Sequence, residues 1–490
     1  MSLTRAEVRR KLREQRKQNN VQPKQRKTAS NAVCNKAKEE EQQEMQDLTR
    51  SAGRALRKML PPLLKQFEKI PDPRNPLSVK HKLTVLLLYG ILLFFFRLDS
   101  RRQANRVLSR PQFRESIQAV LPELETLPHG DTLNRLLSTI DVEMIQEALA
   151  GLVRELIRKK VFTRFLRNKC YQIVVDGTRK NSRDYPWADE ALRRKLNDTG
   201  DKEYYIYIAE VNLVLSNGLQ IPLTSEILHN DVYAPEASKQ DCELKAFYRL
   251  AKQVKQWFPR LRVCVALDGL YAVGPVMKLC CKNKWDYMIV LKDKSLPTVW
   301  EEAGSLRRFQ PENTHTTTRY DRKQVFCWVN NIEYQFNEDR ERTVVHLVEC
   351  TETYTVMNPQ TNVLEDKTVR FAWLSRKPIN HTNVTYRCNE FGRQRWMIEE
   401  SILKEKRHGF QYEHLFSTDW TAMKGYHYLM RIGHLLNEMI LHLVDLAGSV
   451  YDHTEAGVIA LLREALAGPW LDIEQLTKEM RGRSQLRLVG

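Results

Sequence analysis

Apolar residues recur at spacings of three and four between about residues 51 and 168, as in LRKMLPPLLKQF and MIQEALAGLVRELI. That is the period of helices that bury one face. In PHGDTLNRLLSTI, Asp131 or Thr132 stands where a helix cap belongs. The run from Leu83 to Phe96 is apolar except for Thr84 and Gly90. It is short for a bilayer span and predicts a buried core helix. At Cys170 the period changes. CYQIVVDG and LRVCVALDG are short apolar runs closed by Asp-Gly, and both read as buried strands ending in turns. Between them, YYIYIAEVNLVLSNGLQIPLTSEIL reads as a hairpin about SNG, and DCELKAFYRLAKQVKQWF as an amphipathic helix. GPVMKLCCKN predicts a short helix and DYMIVLK a strand. Strand, hairpin, helix, strand, helix, strand is a mixed α/β order. Residues 301–373 then alternate as strands, with no helix expected among them. Helical period returns near Gly392 and persists to the end, and no internal repeat is visible.

These shifts divide the chain into a basic, disordered arm (1–50), a helical N-terminal domain (51–168), the first part of an α/β core (169–300), a β-rich insertion (301–373), the second part of the core (374–435) and a C-terminal helical region (436–490). A chain of 490 residues, 42% apolar, is long enough for several such units. The formal net charge of +18 calls for a polyanionic partner, nucleic acid or an anionic membrane surface. The arm concentrates this charge: up to Lys36, eleven Lys and Arg face only Glu7 and Glu14. It reads either as a solvated tail or as an arm that folds on DNA phosphates. The helical domain reads either as a plain helical domain or as a DNA-reading module, such as a helix-turn-helix. Nine scattered cysteines, with no Cys-x-x-Cys pair, predict reduced, mostly buried thiols in a cytosolic protein. No signal peptide is visible.

The candidate chemistry lies in three carboxylates. An Asp at the C-terminal end of a buried strand sits where α/β sheets bind ligands, and the Gly after it permits close approach. One such Asp is ordinarily a turn residue. Two, Asp176 and Asp268, make a shared metal site plausible. The third element is RQRWMIEESILKEKRHG, where Arg395, Glu399 and Lys406 fall within roughly 60° of one another on an ideal helix. Alone, that face reads as an exposed helix laced by ion pairs. With the two Asp residues it suggests phosphodiester cutting, in which carboxylates hold Mg²⁺ and cations bind phosphates. Arg395 can bind a phosphate bidentately.

The order resembles the RNase H-like core of DDE transposases, in which one Asp lies on the first strand, a second ends the fourth, and a Glu lies on a later helix. Arg395-x3-Glu399-x6-Lys406 looks like the YREK signature of the IS-four-like insertion-sequence transposases. In that family a β insertion separates the second Asp from the Glu, as residues 301–373 would here. FEKIPDPRNP, LPHGDTLNRLL, KQDCELKAF and GFQYEHLFSTDWTAMKGYHYLMRI also look typical of such proteins, so the resemblance spans about residues 60–440. It implies an RNase H-like mixed sheet and a cut-and-paste DNA transposase acting on double-stranded DNA as a dimer or larger synaptic complex. It also implies two Mg²⁺ ions, replaceable by Mn²⁺, on Asp176, Asp268 and Glu399. Arg393, Arg395, Lys406 and Arg407 are then the expected DNA contacts, and the location a bacterial, nucleoid-associated cytoplasm. One position departs from the pattern: Gly392 stands where the family has Tyr.

Rival carboxylates are Glu210, Glu226, Asp231 and Asp241, the last placed to cap a helix. His408 and His414 follow the signature helix, and Trp300 and Trp396 read as core packing or as stacking platforms for a base. No P-loop, His-Glu-x-x-His or Gly-x-Gly-x-x-Gly pattern occurs, so ATP hydrolysis, zinc-protease and dinucleotide readings have no support. Two other functions stay open: a domesticated, transposase-derived DNA-binding protein that no longer cuts, and another RNase H-like nuclease.

Overall fold

A computed structural model describes residues 10, 36–196, 201–230, 241–358, 363–482 and 485–490. The basic arm up to residue 35, Arg10 apart, lies outside the described residues, as does Asp231. The described chain divides into two compact units. The smaller consists of Gln172–Val174 and Arg262–Trp396, the larger of residues 36–171, Val175–Leu261 and Met397–Gly490.

In the larger unit, helix α1 (Lys38–Phe67) begins well before the expected boundary at residue 50. Met45, Leu48, Ala52, Leu56, Met59 and Leu63 recur at helical spacing and are buried, so this stretch has a core to join. It is followed by α2 (Leu83–Phe95), α3 (Arg101–Leu108), α4 (Pro111–Val120), α5 (Gly130–Leu137) and α6 (Glu143–Arg158). Every α2 residue but Thr84 is buried, as the apolar run predicts. Among the described residues no helix is long and apolar enough to cross a membrane. The cap of α5 is His129, whose Nδ1 accepts from the Asp131 N–H at 3.2 Å. Asp131 itself lies in the first turn, where its charge suits the helix dipole.

Strand β1 (Tyr171–Arg183) enters the larger unit at Val175. There it joins β2 (Leu192–Lys195), β3 (Lys202–Val214) and β4 (Gln220–Leu228) in the order β2-β3-β1, with β4 antiparallel to β3. Gly218, at φ +86°, turns the β3–β4 hairpin, as SNG predicts. Next come α7 (Glu243–Trp257) and, near the C-terminus, α10 (Met397–Arg407), α11 (Trp420–Leu441), α12 (Ala447–Ala467) and α13 (Ile473–Met480). From Ala422 to Leu441, α11 is buried except at Lys424. A Cβ at Gly433 would meet Phe94 Cβ at 2.8 Å and Phe95 N at 3.2 Å, so the glycine lets α11 approach the α2 backbone.

The smaller unit is a mixed sheet. Its order is β1 (residues 172–174), β5 (Val263–Leu267), β6 (Asp286–Val290), β10 (Leu364–Ser375), β9 (Glu341–Met357), β8 (Arg322–Phe336), β7 (Thr314–Arg319). β5 and β6 are parallel, with α8 (Gly274–Lys282) in the connection between them, and every later pair is antiparallel. The β-rich segment therefore continues the core sheet, since β10 pairs directly with β6, Trp373 opposite Val290. A helix, α9 (Pro297–Arg307), reaches into the segment expected to hold strands only. The fold is thus mixed α/β with a large mixed sheet and many helices. Cys170, Cys264, Cys280, Cys350 and Cys388 are buried free thiols, and Cys34 lies outside the described residues.

Candidate active site

Asp268 follows β5 in the smaller unit. Its Oδ1 accepts the Leu270 N–H at 2.8 Å and so caps the turn Gly269–Tyr271. Lys292 Nζ stands 4.0 Å from its other oxygen. The two residues line a pocket of about 340 Å³ that also presents Arg370, Arg395 and Trp396. Arg370 is engaged: its Nε pairs with Glu349 at 2.7 Å and its guanidinium lies 4.8 Å over the Trp300 ring. The Trp300 Nε1 donates to the Lys292 carbonyl at 3.4 Å. Trp396 is 41% exposed and meets Phe371 edge-on at 5.9 Å. The pocket thus joins two carboxylates, Asp268 and Asp293, to cations and an aromatic wall, a combination suited to a metal-bound phosphate and the sugar or base attached to it.

The segment leading to Glu399 is not one regular helix. A π-helical turn spans Arg387–Phe391, a 3-10 turn spans Gly392–Trp396, and α10 starts only at Met397. The ideal 100° per residue holds from Glu399 to Lys406, but Arg395 sits in the tighter turn before it. The expectation that all three share one helical face is corrected accordingly. Arg387 anchors the turn, bonding Asp286 at 2.9 and 3.0 Å and Ser375 Oγ at 3.1 Å. Gly392 faces the Trp373 indole, and a Cβ there would lie 2.8 Å from its Nε1. The position that carries Tyr in the resembling family therefore has no room for a side chain here. Arg393, expected to touch DNA, is held inside the fold. It pairs with the buried Glu352, donates to Asn389 at 3.0 Å and lies 4.4 Å over Phe371.

Asp176, Glu399, Lys406 and Arg407 belong to the larger unit. β1 does not end at Asp-Gly; it runs on to Arg183. Gly177 is needed for space, because a Cβ there would meet Glu243 Oε2 and Tyr207 Cε1 at 2.5 Å. Asp176 Oδ1 accepts the Gly177 N–H at 3.0 Å, and Tyr207 donates its hydroxyl to Glu243 at 2.8 Å. Glu399 and Arg407 are exposed on α10. Lys406 Nζ donates to the Arg179 carbonyl at 3.0 Å and pairs with Glu413 at 3.1 Å.

The opposite face of α10 is fixed by a buried charge network. Glu405 accepts from Arg431 of α11 at 2.8 Å and bonds His434. Arg431 also lies 3.3 Å from Glu210 of β3, which accepts from Tyr412 at 2.9 Å and from Ser225. Asn212 donates to Ser401 at 2.9 Å. Burial pushes the Glu210 carboxyl up, but Arg431 and His427 more than offset it and hold it at about 2. Burial disfavours a charged His434, and Glu405 and Glu438 reverse that, raising it. Burial lowers Lys180 to about 8, although Glu210 and Glu405 lie near.

The structure brings Asp268 and Arg395 to one pocket of the smaller unit and places Asp176, Glu399, Lys406 and Arg407 in the larger. Among the described residues no three His, Cys, Asp or Glu side chains are gathered closely enough to hold a metal ion. Of the rival carboxylates, Glu210 is wholly enclosed, and Glu226 and Asp241 both pair with Arg249 at 2.5 Å. Cys242, not Asp241, caps α7. His408 is exposed, and His414 packs edge-on against Phe416 at 4.6 Å. Sequence reasoning missed Lys292, in the loop after β6, and Glu243, in the first turn of α7. Neither lies next to an Asp-Gly strand in the chain, and no local pattern marked them.

Residues 64–153 match the family described as DDE_Tnp_1-associated. No curated protein matches the chain. Among solved structures, a cryo-EM structure of the piggyBac transposase synaptic complex with hairpin DNA aligns over 90% of this chain and 86% of that one, at 10% identity and a TM-score of 0.34. A likeness at that level carries no argument about this chain.

Proposed function

We propose that the chain is a DNA transposase that cleaves double-stranded DNA at the ends of a mobile element and joins the freed ends to target DNA. The observation that carries this reading is the pocket in which Asp268 stands with Lys292, Arg395 and Trp396. The match of residues 64–153 to a DDE_Tnp_1-associated family and the net charge of +18 support it.

The donor chemistry suits Mg²⁺, or Mn²⁺ in its place: the Asp268 carboxylate is partly exposed and keeps lone pairs beyond its bond to Leu270. Asp176 and Glu399 are the further ligands in this reading. When bound, two such ions neutralise charge on the attacking and leaving oxygens of a phosphodiester. Arg395 then holds a phosphate oxygen pair beside Asp268, with Lys292 adding a point charge. Lys406 reaches a flanking phosphate by exchanging its Glu413 partner, and Arg407 offers a second contact. Holding two element ends together calls for a dimer or larger assembly.

The test is cleavage of a duplex carrying the DNA that flanks the gene on both sides, where this reading expects inverted repeats, with and without Mg²⁺. Metal-dependent cutting, abolished in Asp176→Ala, Asp268→Ala and Glu399→Ala, is expected. Cutting that survives all three substitutions overturns the assignment. Binding without any cutting would instead favour a domesticated DNA-binding protein, and hydrolysis without strand transfer another nuclease.

A further inference from the structure

Arg102, Arg106, Arg110 and Arg114 recur every four residues in the larger unit. The first two stand one turn apart on α3; Arg110 caps α4, and Arg114 lies one turn inside it. All four are exposed. Among the described residues none of the four forms an ion pair. Their neighbours behave differently. Arg101 pairs with Asp131 at 3.3 Å, Arg57 pairs with Glu123, and Lys82 pairs with Glu125 at 2.7 Å.

The scaffold beneath them is fixed. Ala104, Leu108, Phe113 and Ile117 are buried. Ser100 caps α3 by accepting the Gln103 N–H at 3.2 Å. Asn105 Oδ1 accepts both the Tyr89 hydroxyl at 2.7 Å and the Gly130 N–H at 2.8 Å, tying α3 to α2 and α5. α3 contains no acidic residue and α4 contains only Glu115. Like charges one turn apart destabilise a helix by roughly 0.2–0.5 kcal/mol per pair. Among the described residues no ion pair offsets that cost for Arg102 and Arg106 or for Arg110 and Arg114, whereas a bound polyanion would.

We propose that these four arginines bind the phosphate backbone of double-stranded DNA, through residues distinct from those that cut. Guanidinium forks suit phosphate oxygens, and exposed arginine pairs on two successive helices offer several such contacts to a polyanion. The choice of DNA over other polyanions rests on the transposase reading, and the four residues lie inside the segment 64–153 that matches the DDE_Tnp_1-associated family.

The experiment is fluorescence anisotropy of the full chain on a 30-base-pair duplex between 50 and 200 mM salt. It compares the native protein with the variant Arg102→Gln/Arg106→Gln/Arg110→Gln/Arg114→Gln and with its all-Lys counterpart. The salt slope, log K against log salt, should flatten by about 0.9 for each arginine removed, and the Lys version should keep most of it. Thermal melting checks that both variants fold. A native slope retained by the Gln variant overturns the proposal and leaves the transposase reading standing. A native chain that binds no duplex overturns both. Loss of binding to vesicles containing anionic lipid, with duplex binding unchanged, assigns these arginines to a membrane surface and overturns the DNA proposal.

Discussion

Arg431 of α11 donates to Glu405 of α10 at 2.8 Å, and both side chains are almost wholly buried. This bond fixes the back of the helix whose front carries Glu399. Removing one member of a buried pair strands the other charge, at about 3–5 kcal/mol. Arg431→Met and Glu405→Ala are each expected to lose about that much, read from urea unfolding. The double variant should lose less than the sum, because neither charge of this bond is then stranded by the loss of the other, although Glu210 and His434 still lose a partner. Additive losses would show that the two charges are not coupled.

The same network sets a pH profile. Glu210 is depressed to about 2, so its contribution is present above its ordinary value of 4.5 and is lost as the pH falls towards 2. His434 is raised, so its contribution is full below 6.5 and is lost as the pH rises through the folded value. The denaturation midpoint should therefore fall on both flanks. Glu210→Gln should flatten the acid flank only, and His434→Asn the flank above 6.5 only. A midpoint unchanged between pH 4.5 and 2 in the native protein would contradict the first part.

Much of this architecture was readable from periodicity. α2, the β3–β4 hairpin, β5 and the return of helix after Gly392 follow from local patterns. Asp268 was placed at a strand end because β5 does end where the apolar run ends. Asp176 was placed on the right strand for a reason that proved incomplete. Gly177 is required by the side chains of Glu243 and Tyr207 rather than by a turn, and crowding of that kind leaves no mark in a local window. The Glu210–Arg431–Glu405 network was not legible, since its members are far apart in sequence and α11 otherwise reads as apolar. The π and 3-10 turns before α10 were also missed: apart from Gly392 their residues have ordinary helical propensity, and the contacts that hold the turns, Arg387 with Asp286 and Gly392 against Trp373, are distant in sequence.

Gly392 offers a direct check of that last point. Its Cβ-less face lies against the Trp373 indole. Gly392→Ala should destabilise by about 1–3 kcal/mol, the usual cost of overpacking. Gly392→Tyr should destabilise more, and Trp373→Ala combined with Gly392→Tyr should recover part of the loss by opening space. Thermal or urea unfolding of the three variants decides it. A Gly392→Tyr protein as stable as the native one would mean that the turn can move away from β10.

Lys406 sits in an ion pair with Glu413 whose acidic partner is largely exposed. If Lys406 meets a phosphate, Glu413 competes for it. An exposed pair is worth at most about 1 kcal/mol, so Glu413→Gln should raise affinity for a duplex by no more than about fivefold. Lys406→Met should lower it, and Glu413→Gln should then add nothing to the Lys406→Met protein. Anisotropy titrations of the four proteins at one salt concentration make the comparison. An equal gain from Glu413→Gln in the presence and absence of Lys406 would show that Glu413 merely repels DNA at long range, and would remove Lys406 from the phosphate contacts.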